Sequence, residues 1–244
     1  MAADLETIAQ HIGQAHRLTV LTGAGVSAAS GVPTFRGPAG LWRSFRPEDL
    51  TTPQAFRRDP QLVWEWYDWR RQKIAACQPN AAHRAIARWS LRPGFTLVTQ
   101  NVDGLHERAG TSGVIRYHGS IWRLRCAVAC GAAEWEDLQA PLLSLPPHCP
   151  ACGALARPGV VWFGEAIPAE AARLADAATA CDVFLSVGTS SLVYPAAGLL
   201  HEARARGAWT VEINPEPTAS AGLVGAAIAM AAEEALALID RVIV

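Results

Sequence analysis

Four cysteines fall into two short pairs, Cys126-x3-Cys130 and Cys149-x2-Cys152, with 18 residues between the pairs. Spacings this short let one turn present two sulfurs, and two such turns can close a tetrahedron around zinc at about 2.3 Å per bond. Gly131 and Gly153 each follow the second cysteine of a pair, where a knuckle turn would want them. Four protein ligands leave no open coordination position, so the metal would be structural. Disulfide pairing is the competing reading, and a reducing compartment disfavours it. Cys77 and Cys181 stand outside the pattern and read as small core residues. A second group of residues, 22–28 (TGAGVSA), fits a relaxed Gly-x-Gly-x-x-Ala pattern. Its first glycine allows a tight turn and its second lets backbone amides approach a pyrophosphate at a helix start. A plain turn is the bland alternative. The dehydrogenase version of this pattern needs a second strand ending in an acidic residue about 20 positions on. Here the chain runs instead into SGVPTFRG, residues 30–37, so hydride transfer is disfavoured. Third, Tyr67 and Arg70 lie three apart within a helical stripe that includes Val63, Trp66 and Ile74, which sets them on one face.

These groups need a scaffold, and the hydrophobic pattern supplies one. Residues 17–22, 95–99, 182–187 and 209–213 are β-rich apolar runs, and each stops at polar residues. Helical spacing covers about 4–15 and 61–76, Asn80 caps a further helix through about Trp89, and helices start after Pro168 and at Pro195. Residues 31–40, rich in glycine and proline, read as loop. Strands alternating with helices predict an α/β fold: a Rossmann-like parallel sheet with helices on both faces, ligand groups at the strand ends, and a small zinc-binding module. At 244 residues the chain reads as one domain, with the module at about 120–158.

Composition excludes several classes. Half of the residues are hydrophobic and 18% are charged, which rules out a disordered chain. A net charge of −1 gives no electrostatic case for nucleic acid. No apolar run reaches the roughly 18 residues of a membrane span. The acidic Asp4 and Glu6 in a start without an apolar run do not resemble a signal or transit peptide, so a cytoplasmic protein is expected. Oligomeric state is not legible, and a monomer suits the size.

Six segments together resemble the sirtuin family: GAGVSAASGVPTFRG (23–37), TQNVDGLHERAG (99–110), HGS (118–120), VVWFGE (160–165), GTSSLVYPA (188–196) and INPEPT (213–218). They occur in family order and span nearly the whole chain, apart from the alanine-rich tail at 219–244, which matches poorly. The resemblance implies an NAD-consuming protein-lysine deacylase acting on acyl-lysine proteins. It implies that Gly23, Ala24, Gly25 and Ser27 cradle the NAD phosphates, and that Thr34, Phe35, Arg36 and Trp42 belong to the cofactor loop. Gln100, Asn101 and Asp103 would hold the ribose and the nicotinamide carboxamide. Gly188, Thr189, Ser190, Asn214 and Glu216 would hold the adenosine half. Val161, Trp162, Phe163 and Gly164 would form the edge to which a substrate peptide adds.

His118, with Asn101, would be catalytic: the amide carbonyl oxygen attacks the ribose carbon as nicotinamide leaves, and a ribose hydroxyl activated by His118 then receives the acyl group. An imidazole with an ordinary pKa near 6.5 suits that step. The other histidines, His11, His16, His83, His106, His148 and His201, read as surface or capping residues. The first cysteine pair has three intervening residues where the family norm is two. Within the family, Tyr-x-x-Arg after the cofactor loop resembles the desuccinylase and demalonylase branch, as does Thr34. There Arg70 and Tyr67 would bind the carboxylate at the end of a succinyl or malonyl group. The alternatives are an ordinary amphipathic pair, with Arg70 on the surface beside Arg71, and hence a plain deacetylase. A mono-ADP-ribosyltransferase using the same NAD site, and a non-catalytic NAD or acyl-peptide binding module, are the remaining rivals.

Overall fold

A computed structural model describes residues 5–33 and 45–243. In chain order the elements are α1 (Leu5–Gln14), β1 (Leu18–Thr22), α2 (Gly25–Ala28), α3 (Pro47–Leu50), α4 (Pro53–Arg58), α5 (Pro60–Ala76), α6 (Ala81–Trp89), β2 (Phe95–Thr99), α7 (Leu105–Arg108), β3 (Ile115–Arg116), β4 (Gly119–Cys126), β5 (Trp135–Glu136), β6 (Ala156–Val160), α8 (Ala169–Ala178), β7 (Val183–Val187), α9 (Ala196–Ala205), β8 (Trp209–Ile213), β9 (Ala226–Ile228) and α10 (Ala232–Ile243). The loop expected over 31–40 lies outside the described residues beyond Pro33, as do Thr34, Phe35, Arg36 and Trp42. No described helix is long and apolar enough to cross a membrane.

The main sheet has the order β3-β2-β1-β7-β8-β9, and every pairing is parallel. Such a sheet needs cover on both faces, and the alternation along β1 shows how it is met. Leu18 and Val20 face a core built by Ile8 and Ile12 of α1, Ile86 and Trp89 of α6, and Leu236 and Ile239 of α10. Leu21 points the other way, with Phe184, into a second core closed by α8 and α9. All five residues of β1 and of β7 are accordingly buried. The Rossmann-like α/β architecture is as the sequence predicts. The two short edge strands β3 and β9 carry no such pattern and went unread.

A smaller antiparallel sheet, β5-β4-β6, packs with α5 around a third core that holds Trp64, Trp66, Tyr67, Leu124 and Trp162. Helix α5 starts where Asp59 Oδ1 accepts the Leu62 amide at 2.9 Å and Pro60 opens the first turn. Its other face is tied to the small-sheet region. Trp64 Nε1 donates to the Ala156 carbonyl at 2.9 Å, and Asp68 Oδ1 accepts the Leu142 amide at 2.7 Å. Arg71, wholly buried, donates to the Asp137 carboxylate and to the Gln139 carbonyl. The helix that carries Tyr67 and Arg70 is therefore tied to the small-sheet region along much of its length.

Candidate active site and metal centre

Strand β1 lies beside β2 on one side and β7 on the other, and the chain leaves it toward β2 first. The topology thus reverses at β1, and a ligand crevice belongs at the carboxyl ends of these strands. Two glycine turns meet there. Gly25 donates its amide to the Gly188 carbonyl at 2.8 Å, and Gly23 donates to the Val187 carbonyl at 3.1 Å. A Cβ on Gly25 would stand 2.7 Å from Gly188 Cα, so the close approach demands glycine. Gly188 has a φ of 61°, which also favours glycine.

A cleft of about 430 Å³ opens at this point. Its walls include Gly23, Ala24, Gly25, Ser27, Gln100, Asn101, Asp103 and His118, then Gly188, Thr189, Ser190 and Asn214, and also Tyr67, Arg70, Val161, Trp162, Phe163 and Gly164. Glu216 does not line it: its side chain is exposed, and its carbonyl accepts Asn214 Nδ2 at 3.0 Å. Residues 161–164 follow β6 without joining a ladder. The Val161 amide donates to the His118 carbonyl and the Phe163 amide to that of Thr51. The Trp162 amide donates to Glu165 Oε2. A peptide adding here would have to use groups other than these three amides.

Within the cleft wall, polar groups are chained together. The Asn101 amide nitrogen donates to the Gly23 carbonyl at 3.0 Å and to Ser27 Oγ at 3.2 Å. Ser27 Oγ donates to Asp103 Oδ2 at 2.7 Å, and Asp103 Oδ1 accepts the Leu105 amide. Burial raises the pKa of Asp103, while these bonds oppose the rise. Since Ser27 has only one proton to give, His83 Nε2, 3.3 Å away, must donate to it. That agrees with His83 Nδ1 accepting the Asn80 amide in the capping box of α6. Burial lowers His83 to about 4, so it stays neutral. His106 is also buried and neutral, with Nε2 3.0 Å from Thr22 Oγ1. His83 is thus a capping residue as read, but a buried one joined to the glycine loop. His106 is neither surface nor cap. Sequence reasoning missed this network, and only the Asn80-to-His83 spacing hinted at it.

His118 is half-buried, with Nδ1 3.1 Å from the Gln100 carbonyl. A carbonyl only accepts, so Nδ1 carries the proton and Nε2 is left as a bare acceptor. Burial lowers its pKa below the usual value, and the bond to Gln100 partly counters this. A neutral imidazole with a free lone pair at a cleft is equipped to remove a proton.

Tyr67 and Arg70 are both buried, at 3% and 4% exposure, so neither belongs to an ordinary amphipathic surface. Tyr67 Oη accepts Trp162 Nε1 at 2.9 Å, and desolvation raises its pKa, which keeps it a protonated donor. The Arg70 guanidinium lies 5.1 Å from the centre of the Trp66 ring and donates to the Pro33 carbonyl at 3.3 Å. A phenol and a guanidinium that line one partly apolar cleft could receive a carboxylate.

Away from the cleft, the sulfurs of Cys126, Cys130, Cys149 and Cys152 all lie within 4.8 Å of one another. Two of the separations are 3.6 and 3.8 Å. A zinc tetrahedron with bonds of about 2.3 Å has edges of about 3.8 Å, so the cluster fits the ion. The extra residue of the first pair is absorbed at Ala129, whose φ is 50°. Amides of Cys130 and Val128 point at Cys126 and help bring its pKa down to about 6. Cys152 receives the Ala154 amide, yet its bonds with Cys130 and Cys126 hold it up at about 12. Four thiolates this close repel one another, so a cation among them favours their joint ionisation. Chelation should therefore release one zinc per chain. If about 3 kcal/mol is lost, the melting temperature should fall by about 6–12 °C. Calorimetry alongside metal analysis checks this, and an unchanged transition in a metal-free sample would remove the zinc assignment.

The glycine turns, the Asn–Ser–Asp chain and the oriented histidine line one crevice of an α/β fold, and the four clustered thiols could hold a structural zinc. Residues 23–195 match the Sir2 family, and the chain belongs to that family. A protein of Aquifex aeolicus (strain VF5) named NAD-dependent protein deacylase is 54% identical over 203 residues, covering 82% of this chain and 84% of its own. A namesake from Thermus thermophilus is 48% identical over 242 residues, covering 96% and 93%. Among solved structures, a Sir2 homologue in complex with NAD superposes with a TM-score of 0.91 at 43% identity, over 98% of this chain and 93% of its own. A mutant Sir2 homologue bound to 2'-O-acetyl ADP ribose gives a TM-score of 0.93 at 43% identity, over 99% and 96%.

Proposed function

We propose that the chain is an NAD-dependent protein-lysine deacylase that prefers succinyl and malonyl groups and removes acetyl groups more slowly. The observation that carries this reading is that the Tyr67 and Arg70 pair and the oriented His118 line the same cleft as the two glycine turns. When bound, NAD supplies the ribose carbon from which nicotinamide departs and the hydroxyls that receive the acyl group. Gly23, Gly25 and Gly188 bring backbone close to the phosphates, with Ala24, Ser27, Thr189, Ser190 and Asn214 along the nucleotide. Thr34, Phe35, Arg36 and Trp42 belong to the same reading, as cofactor-loop residues.

Gln100, Asn101 and Asp103 hold the reacting end, since their side chains are already fixed by the Gly23 and Ser27 bonds or flank them. His118 Nε2 accepts the proton of the ribose hydroxyl. Arg70 and Tyr67 bind the distal carboxylate of the acyl chain, and the backbone at Val161, Trp162, Phe163 and Gly164 meets the substrate peptide. The relatives' name, NAD-dependent protein deacylase, and a Sir2 structure with a deacetylated p53 peptide, 26% identical with a TM-score of 0.84, support a protein substrate. The same reading takes residues 1–244 as one catalytic domain with a zinc module at about 120–158, acting as a cytoplasmic monomer without nucleic acid or membrane. Nicotinamide release is to be followed with NAD and acetyl-, malonyl- and succinyl-lysine peptides. The expected result is NAD-dependent release, fastest on the acidic acyl groups, with acylated ADP-ribose as co-product. Release of the acyl group without NAD, or modified protein in place of acylated ADP-ribose, would overturn the reading.

A further inference from the structure

The Trp162 side chain has a place that backbone recognition of a peptide does not explain. The residue is buried at 2% exposure, with the Arg157 guanidinium 3.5 Å from the ring centre and the Phe56 ring 5.3 Å away. Arg157 is itself anchored. It donates to both oxygens of Glu165 at 2.6 and 2.8 Å and to the Val160 carbonyl at 3.2 Å. Glu165 in turn accepts the Trp162 amide at 2.9 Å, and Arg125 approaches the same carboxylate at 3.4 Å. Ring and backbone of Trp162 are therefore held by one ion-paired group. From that position its Nε1 donates to Tyr67 Oη at 2.9 Å.

A phenol has one proton and freedom to rotate it. With the indole N–H donating to its oxygen, the Tyr67 O–H is turned away from Trp162, and Tyr67 and Arg70 line the same cleft. A cation over the indole face draws electron density from the ring and makes the N–H a better donor, so the chain Arg157, Trp162, Tyr67 is polarised in one sense. We propose that Trp162 is a specificity-determining positioning residue, whose indole N–H, held by Arg157 and Glu165, fixes the Tyr67 hydroxyl as a donor to the acyl carboxylate. This rests on the acidic-acyl reading of Tyr67 and Arg70, and adds that selectivity is set from behind the pocket by a residue that touches no carboxylate. An acetyl group has no distal acceptor, so it gains nothing from the arrangement.

The test uses the whole chain with NAD and two peptides of equal size, one bearing succinyl-lysine and one bearing its uncharged terminal amide. The quantity read is the ratio of kcat/KM for the first over the second. Trp162→Phe should lower that ratio about fivefold, the worth of one oriented neutral hydrogen bond, chiefly through KM. In a Tyr67→Phe background the same substitution should leave the ratio where Tyr67→Phe alone sets it, because the two act through one bond. Arg157→Gln, which keeps the indole, should move the ratio in the same direction by less, and melting curves on each variant establish folding. A ratio unchanged in Trp162→Phe, or falling equally in the presence and absence of the Tyr67 hydroxyl, would overturn the role of Trp162 alone. A parent enzyme that does not distinguish the two peptides would instead sink the acidic-acyl reading.

Discussion

Replacing His118 by alanine should lower turnover by about 10²–10⁴-fold with little change in the melting temperature. The magnitude is that of a positioned general base. His118 lines the cleft half-buried, and its Nδ1 bond to the Gln100 carbonyl orients the ring without being part of the core packing. The pH dependence adds a second readout with a definite sign. Only the neutral imidazole can accept a proton, and burial holds the His118 pKa below 6.5. Turnover of the parent should therefore be flat, as far as this group is concerned, above about pH 6.5, and should fall as pH drops through the depressed value. In the alanine variant that acidic limb should vanish from the residual rate. A variant that kept the limb would assign the titration to another group, and one that kept full turnover would remove His118 from the mechanism.

The second large effect belongs to Arg70. Arg70→Met should reduce the ratio of succinyl to acetyl turnover by more than about thirtyfold, because removing one partner of a buried charge pair costs about 2–5 kcal/mol. The size follows from burial: Arg70 is 4% exposed, and desolvation lowers its pKa, partly offset by Tyr67 and Asp103. A site that holds a desolvated cation gains most from a ligand carrying the opposite charge, and gains little from an acetyl group. Methionine keeps an unbranched apolar stem while deleting the charge and the guanidinium's place over the Trp66 ring. Kinetics on paired acetyl and succinyl peptides decide it, and equal losses on both would reduce Arg70 to a packing residue. The neighbouring Arg71 is the useful control for reading α5. It too is buried, but it faces Asp137 and Gln139, so its loss should loosen the helix for every substrate alike.

These cases show how unevenly the site could be read in advance. The glycine turns were legible from the short Gly-x-Gly spacing after an apolar run, whereas the reason for Gly25, a Cβ that would stand 2.7 Å from Gly188 Cα, appears only once the two turns meet. The cysteine pairs were legible for the same reason, since a spacing of two or three residues already constrains where two sulfurs can go. The parallel sheet followed from apolar runs bounded by polar residues, while β3 and β9, two and three residues long at the sheet edges, had too little pattern to register. Residues at 34–36 and Trp42, named from the resemblance, fall outside the described structure and remain a proposal.

Composition and short-range spacing by themselves determined the α/β class, the glycine-loop site, the four-thiol cluster and the presence of Tyr67 and Arg70 on one helical face. Folding alone decided that His83 and His106 are buried neutral groups near the glycine loop, that Glu216 stands off the cleft, and that Trp162 reaches Tyr67 across 95 positions of chain. The difference is physical. A turn or a knuckle is specified by residues within hydrogen-bonding reach along the chain. The direction of a hydroxyl proton or the protonation of an imidazole depends on whichever distant groups the packed sheets and helices bring beside it.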